Sequence, residues 1–386
     1  MKEPASRETP STPGRVSTLE LFFDLVFVFT ITQLTALLAN DLTVTTTLRV
    51  MLMLALILWM YGGYAWLTNS VAPTTRFRRS LVLIGMGGFL AISLAIPDAF
   101  GSTGWLFGLG YFVVNAVHSG LFVAAGGPGA ARVMLTGVGP PNLVVALLAL
   151  IGGFLPGPWR VGLWLLGVVI VIVVPYVSPI GGFNITPSHF VERHGLIIII
   201  ALGESIVAIG VGVVGQHIDL FLVLVAVLGL SVSYLMWWVY FGGDDIRAEH
   251  ALGSIEPARR GRAAVEAYGW AHYFLLLGIV FAAAGVKKAV GHPVGHVTLA
   301  QALVLAGGVS VYLLGDVWFR RVLRIGQLRY RAIGAIAVLA TVPLGLLYGV
   351  AELVALNVLL MAMLYREGRA ASRRRDLADE VEQPAT

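Results

Sequence analysis

The chain has 386 residues, of which 58% are hydrophobic and 12% charged, with a mean hydropathy of +0.85. Soluble globular chains carry roughly 45–50% apolar and about 25% charged residues, so a soluble enzyme is excluded and a polytopic all-α membrane protein is expected. Without cysteine there are no disulfides, thiolate metal sites or cysteine nucleophiles, and the net charge of +5 reads as membrane topology rather than nucleic-acid binding.

In chain order, a Pro-, Ser- and Thr-rich tail (1–16) precedes the first apolar run and reads as disordered. Runs long enough to cross a hydrocarbon core of about 30 Å then fall at 17–39, 47–68, 79–97, 104–125, 141–156, 158–178, 188–213, 218–241, 264–289, 297–319, 331–349 and 351–366. The fifth and twelfth are short, and Pro140–Pro141 blurs the start of the fifth. The last stretch, 367–386, is rich in Arg, Asp and Glu and reads as a charged, disordered tail. No cleavable leader is expected, because a polar tail runs straight into a full-length span.

Of the 26 Lys and Arg, 21 fall on the side of the N-terminus, four fall on the other side, and Arg193 opens a span. That bias predicts a protein of the cell (cytoplasmic) membrane with both termini in the cytoplasm. An echo divides the chain into six-helix halves, 17–178 and 179–366. Glu20 opens span one and Glu192 opens span seven; each is followed by a span ending in Trp and Tyr, then an arginine cluster. Two parallel repeats would give this order.

Ionisable groups inside a span cost about 2.5–3.5 kcal/mol each near its centre, so they are functional candidates. Ser17 and Glu20 have capping-box spacing. Asp24, one turn deeper, shares a face with Glu20; the pair suits a cation or a shared proton, or else a basic partner such as Arg193. Because lead helices of two halves flank a common axis, Asp24 is expected to meet Arg193 or Glu192. Glu204 lies twelve residues past Glu192, about 18 Å along a helix, beyond the run LIIIIALG. Nothing local neutralises it, so it is a candidate proton or cation site or a neutral structural glutamate. Supporting polar groups are Arg193, His189, Gln33, His118, His272 and Asp316, each alone more often a helix–helix hydrogen bond. His189, Glu192 and His194 are spaced H-x-x-E-x-H, which matches no helix-borne zinc-protease motif. The glycines at 126–129 lack the Lys-Ser/Thr of a phosphate loop. No metal or cofactor is expected.

Residues 19–34, LELFFDLVFVFTITQL, and 189–206, HFVERHGLIIIIALGESI, resemble the two signature stretches of the bacterial low temperature requirement protein A family (LtrA). The tryptophan pair of span eight and AYGWAHYFLLLGIV at 267–280 are similar to the rest of that pattern. The resemblance covers roughly 15–366 and implies an integral bacterial membrane protein; mechanism rests on the residues. Phe22–Phe27 also resembles the F-S-D-A-V-F motif of the endolysosomal potassium channel family, with Phe23 in place of serine and no second copy in span seven. The expected function is a secondary transporter or proton/cation-coupled permease, with Glu204, Asp24, Glu20 and Glu192 as coupling carboxyls. The alternatives are an ion channel or an intramembrane enzyme acting on lipid. Expected partners are membrane lipid, a small solute or ion and, potentially, further copies of the chain.

Overall fold

The computed structural model describes residues 16–71, 75–177 and 185–382, with side chains described as far as residue 373. The disordered N-terminal tail expected over 1–16 therefore lies almost wholly outside the described residues. Among those described, all regular structure is helical, and twelve helices are long and apolar enough to cross a membrane. They are α1 (Thr18–Asn40), α2 (Val44–Ser70), α3 (Arg76–Asp98), α4 (Gly104–Ala125), α5 (Gly127–Phe154) and α6 (Gly157–Val177). The others are α7 (Pro187–Gly212), α8 (Leu220–Ser254), α9 (Pro257–Gly291), α10 (Leu299–Leu323), α11 (Leu328–Leu347) and α12 (Gly349–Arg373). Exposed apolar side chains such as Leu165, Leu166, Val169 and Ile172 on α6 line the outside of the bundle, as lipid contact requires.

Several boundaries differ from the sequence reading, each for a local reason. α5 begins at Gly127, not near 141, because a π-helical turn at Met134–Val138 carries the helix into Pro140–Pro141. Proline cannot donate to the helical ladder, and the irregular turn lies directly ahead of the pair. α8 runs past its apolar stretch by turning at Gly242–Gly243; Gly243 has φ +106°, a conformation glycine adopts without a Cβ penalty. α9 starts at Pro257 and contains a second π-helical stretch, Val265–Ala271. The helix of α12 continues to Glu382 in place of the expected disordered tail. After Gly368 that segment holds Ala, Arg, Glu and Leu without Pro or Gly as far as Glu382, and those residues favour helix.

Helix pairings recur along the chain. α1 packs on α2 and α3, α3 on α4, α4 on α5, α5 on α6, and α2 on α4 and α6. Six helices later, α7 packs on α8 and α9, α9 on α10, α10 on α11, α11 on α12, and α8 on α10 and α12. The tight crossings match as well. A Cβ on Gly88 of α3 would stand 2.8 Å from Val114 of α4, and one on Gly110 would stand 2.7 Å from the Gly88 carbonyl. A Cβ on Gly278 of α9 would stand 2.5 Å from the Tyr312 nitrogen of α10 and 2.7 Å from the Gly308 carbonyl. Small residues at such crossings let backbones approach in lipid, where packing drives association. The two runs of six meet where α1 and α2 contact α7 and α9.

Candidate functional site

The end of α1 is fixed by its own capping box. The Ser17 amide donates to Glu20 Oε2 at 2.8 Å, and the Glu20 amide donates to Ser17 Oγ at 3.4 Å. This leaves Glu20 4% exposed and able to reach α7, where His189 Nε2 lies 3.2 Å from its Oε1. One turn deeper, Asp24 is fully buried. Arg193 of α7 donates through Nη1 to Asp24 Oδ2 at 2.8 Å and to the Glu20 carbonyl at 3.0 Å. Tyr61 of α2 donates to the other Asp24 oxygen at 2.9 Å. The guanidinium also lies 5.9 Å from the Phe23 ring centroid and 5.7 Å from that of Tyr61. Asp24 thus meets span seven at Arg193, one of the two residues expected from sequence. A carboxylate buried in apolar surroundings persists when it is paired and hydrogen-bonded.

Glu192 is placed differently. It is exposed, and its Oε2 accepts from the Val16 amide at 3.4 Å. Its position one residue before Arg193 turns it away from the buried cluster. Glu204 is 3% exposed, roughly two thirds of the way along α7, and accepts from Thr32 Oγ1 of α1 at 2.5 Å. Thr32 lies twelve residues past Glu20, as Glu204 lies twelve past Glu192. Glu204 has no ion pair among the described residues, although Lys287 of α9 acts on it at longer range. Gln33 is half-buried beside Thr32.

The other polar candidates fall in three places. Asp316 belongs to an ionic cluster that sequence reasoning did not assemble. Arg320 lies 3.2 Å from Asp316 and donates to Asp244 Oδ2 at 2.7 Å and to Glu367, while Arg331 lies 2.8 Å from Glu367 and 3.7 Å from Asp316. Only the i,i+4 spacing of Asp316 and Arg320 signals it. Glu352 of α12, 1% exposed, was also missed; its signal is a lone carboxyl in the run VAELVALNVLL. His272 is tied to the Ala267 carbonyl at 2.8 Å and to the Tyr240 hydroxyl at 3.0 Å. Among the described residues, no group of His, Asp and Glu could hold a metal ion.

His118 of α4 lines a cavity of about 100 Å³ walled by α2, α4, α5 and α6 on one side and by α7 and α9 on the other. Its surface is mostly aromatic and aliphatic, with Trp59, Trp66, Trp270 and Tyr268 prominent. Trp59 stacks on Trp270 of α9 at 6.1 Å and 17°, and its Nε1 donates to Asn142 of α5 at 2.9 Å. Both π-helical stretches contribute to the wall, through Met134 and Val138 on α5 and Val265, Tyr268, Gly269 and Trp270 on α9. Such stretches are frequent at functional sites. The charged cluster and the cavity share walls. Tyr61 and Arg193 face the carboxylates, while their neighbours Met60, Gly62 and His194 face the cavity.

The sequence profile of the bacterial low temperature requirement A protein matches residues 15–365. The chain is also 28% identical, over 315 residues, to an uncharacterized protein of Rhizobium meliloti (strain 1021), an alignment covering 78% of this chain and 76% of the relative. With a match over nearly its whole length, this twelve-helix membrane protein belongs to the bacterial low temperature requirement A (LtrA) family.

Proposed function

We propose that the protein is a secondary transporter of the bacterial cytoplasmic membrane, with both termini in the cytoplasm. It is built from two six-helix halves, 17–178 and 179–366, and moves a small solute coupled to protons or a cation. The observation that carries this reading is the cavity walled by α2, α4, α5 and α6 together with α7 and α9. A solute held between two repeated units can be offered to either side as one unit rocks against the other. The repeated helix pairings and paired glycine crossings support the division into halves. Coupling falls to Glu204, which is buried opposite Thr32 without an ion pair among the described residues. Asp24 and Glu20 are held by Arg193 and His189 and lock the lead helices together.

The test is a solute panel applied to proteoliposomes enclosing a pH-sensitive dye, with and without an imposed pH or sodium gradient. Gradient-dependent uptake of at least one solute, with matching ion movement, is expected. Uptake that ignores both gradients, or ion conduction without any solute, would remove the reading.

A further inference from the structure

Glu367 of α12 accepts from Arg320 of α10 and lies 2.8 Å from Arg331 of α11, so it pins the ends of three helices together. Next to these buried partners stand exposed arginines. Arg321, Arg324 and Arg329 lie along the α10–α11 connection, and Arg366, Arg369 and Arg373 lie on α12. None of the six has an ion pair among the described residues. Nearby Asp244, Asp316 and Glu367 are already held by Arg247, Arg320 and Arg331. On the α8–α9 side, by contrast, Arg259 and Arg262 each have a carboxylate within four residues, Glu256 and Glu266. The acidic residues of 376–382 come later on the helix of α12, so its three exposed arginines lie between them and the span.

Two further observations say what these arginines meet. α12 changes character at one point: Leu364 closes its apolar run, and Tyr365 and Arg366 follow. Tyrosine and arginine at such a boundary sit at headgroup depth, with their apolar parts toward the hydrocarbon. Tyr365 is 62% exposed, and the Arg369 guanidinium lies 5.3 Å from its ring centroid. Arg329 lies 4.7 Å from the Tyr330 ring and donates to its hydroxyl at 2.8 Å. Stacking orients a guanidinium and leaves most of its N–H fork for a phosphate. Arg366, Arg369 and Arg373 are spaced i, i+3, i+7 and so share one helix face. The second observation is Arg324, which ends α10 with φ +56° and ψ 42°. Glycine enters that left-handed region freely and arginine only at a cost. A cap alone is better served by glycine, so the arginine trades backbone strain for an exposed charge beside the other five.

We propose that the pinned ends of α10, α11 and α12 bind the phosphate headgroups of anionic phospholipids in the leaflet on that side. Charge complementarity selects the occupant. The six arginines bring positive charge to the edge of an apolar span, and an anionic headgroup supplies the missing counter-charge; a zwitterionic headgroup carries a cation of its own that they repel. The site goes beyond the transport reading and does not rest on it.

The experiment titrates the purified full-length protein in detergent with phosphatidylglycerol and with phosphatidylcholine of the same acyl chains, and counts retained lipids by native mass spectrometry. Phosphatidylglycerol should bind about tenfold or more tighter than phosphatidylcholine, and the gap should narrow as salt rises. An arginine near an anionic surface contributes about fivefold. Changing Arg321, Arg324 and Arg329 together to Gln, or Arg366, Arg369 and Arg373 together, should therefore weaken phosphatidylglycerol binding about tenfold or more and leave phosphatidylcholine unchanged. A control with Arg76, Arg132 and Arg259 changed to Gln removes the same charge from elsewhere on that side of the bundle and should change binding less than about threefold. Arg324→Gly should keep or raise the melting temperature without lipid, since it relieves the left-handed strain, yet weaken phosphatidylglycerol binding about fivefold. Should a triple variant fail to fold, that single variant carries the test. Equal binding of the two lipids, or an equal loss in the control, would overturn the proposal, the latter by showing diffuse attraction to the whole face. Full displacement of phosphatidylglycerol by millimolar inorganic phosphate would also overturn it, by making this a site for the free anion.

Discussion

Arg193, with 1% of its side chain exposed, holds Asp24 and lies 3.9 Å from Glu20, so its removal strands two carboxylates in an apolar interior. Breaking one side of a buried pair costs about 3–5 kcal/mol, whereas replacing both sides can be nearly neutral. Arg193→Met should therefore lower the thermal stability of the detergent-solubilised protein sharply, and Asp24→Asn added to it should restore part of the loss. Additive losses in that cycle would mean that the pair is not coupled. This cluster was legible in sequence because two carboxylates at i,i+4 in an apolar run demand a cation, and Arg193 lies at the start of the span expected to face them. The cluster of Asp244, Arg320, Arg331 and Glu367 was not legible. Its members stand among polar residues at helix ends, where local hydropathy reads a wet loop, and only the packing of α8, α10, α11 and α12 buries them. The cavity was hidden for a different reason. Trp59 and Trp66 read as an interfacial belt, and belts and binding walls draw on the same residues.

At the scale of helices, hydropathy located all twelve spans, because length and apolarity are local properties. It did not locate their irregular starts. A π-helical turn is held by i to i+5 contacts that packing selects, and nothing in residues 134–138 or 265–271 announces it by periodicity. The glycine crossings were equally silent, since the 46 glycines of the chain give no sign of which ones face a neighbouring backbone. The structure separates them. Gly278 meets α10 backbone, while Gly307, one residue from a crossing, has open space at its Cβ position. Gly278→Val should force α9 and α10 apart and cost about 1–3 kcal/mol, as overpacking does; Gly307→Ala should be neutral or slightly stabilising through helix propensity. Thermal melts of the two variants would check the assignment, and a harmless Gly278→Val would refute the close crossing.

At the scale of the whole molecule, alternating access needs a fixed orientation and a group that changes state as the halves move. Orientation is testable first. With 21 of 26 basic residues on one side, reporter fusions after Val71 and after Arg375 should both read cytoplasmic, and one at Asp98 should read external; any reversal would overturn the topology. Given that orientation, Glu204 and Thr32 lie deep in the bilayer on the two lead helices, at the contact between the proposed halves. Separating α1 from α7 there would break their hydrogen bond and open the carboxyl to water, where it can exchange a proton. Glu204→Gln keeps the shape and can still bond to Thr32 but has no proton to give, whereas Glu204→Leu removes both functions. If coupling runs through this residue, Glu204→Gln should fold with wild-type stability while its uptake no longer responds to a pH gradient. Glu204→Leu should in addition lose about 0.5–1.5 kcal/mol of stability for the hydrogen bond itself, with the Thr32 hydroxyl falling back on the Val28 carbonyl. Gradient-dependent uptake preserved in well-folded Glu204→Gln would make Glu204 a structural partner of α1 and move the coupling site elsewhere, with Glu352, the other buried carboxyl without an ion pair among the described residues, next to be tested by the same substitution.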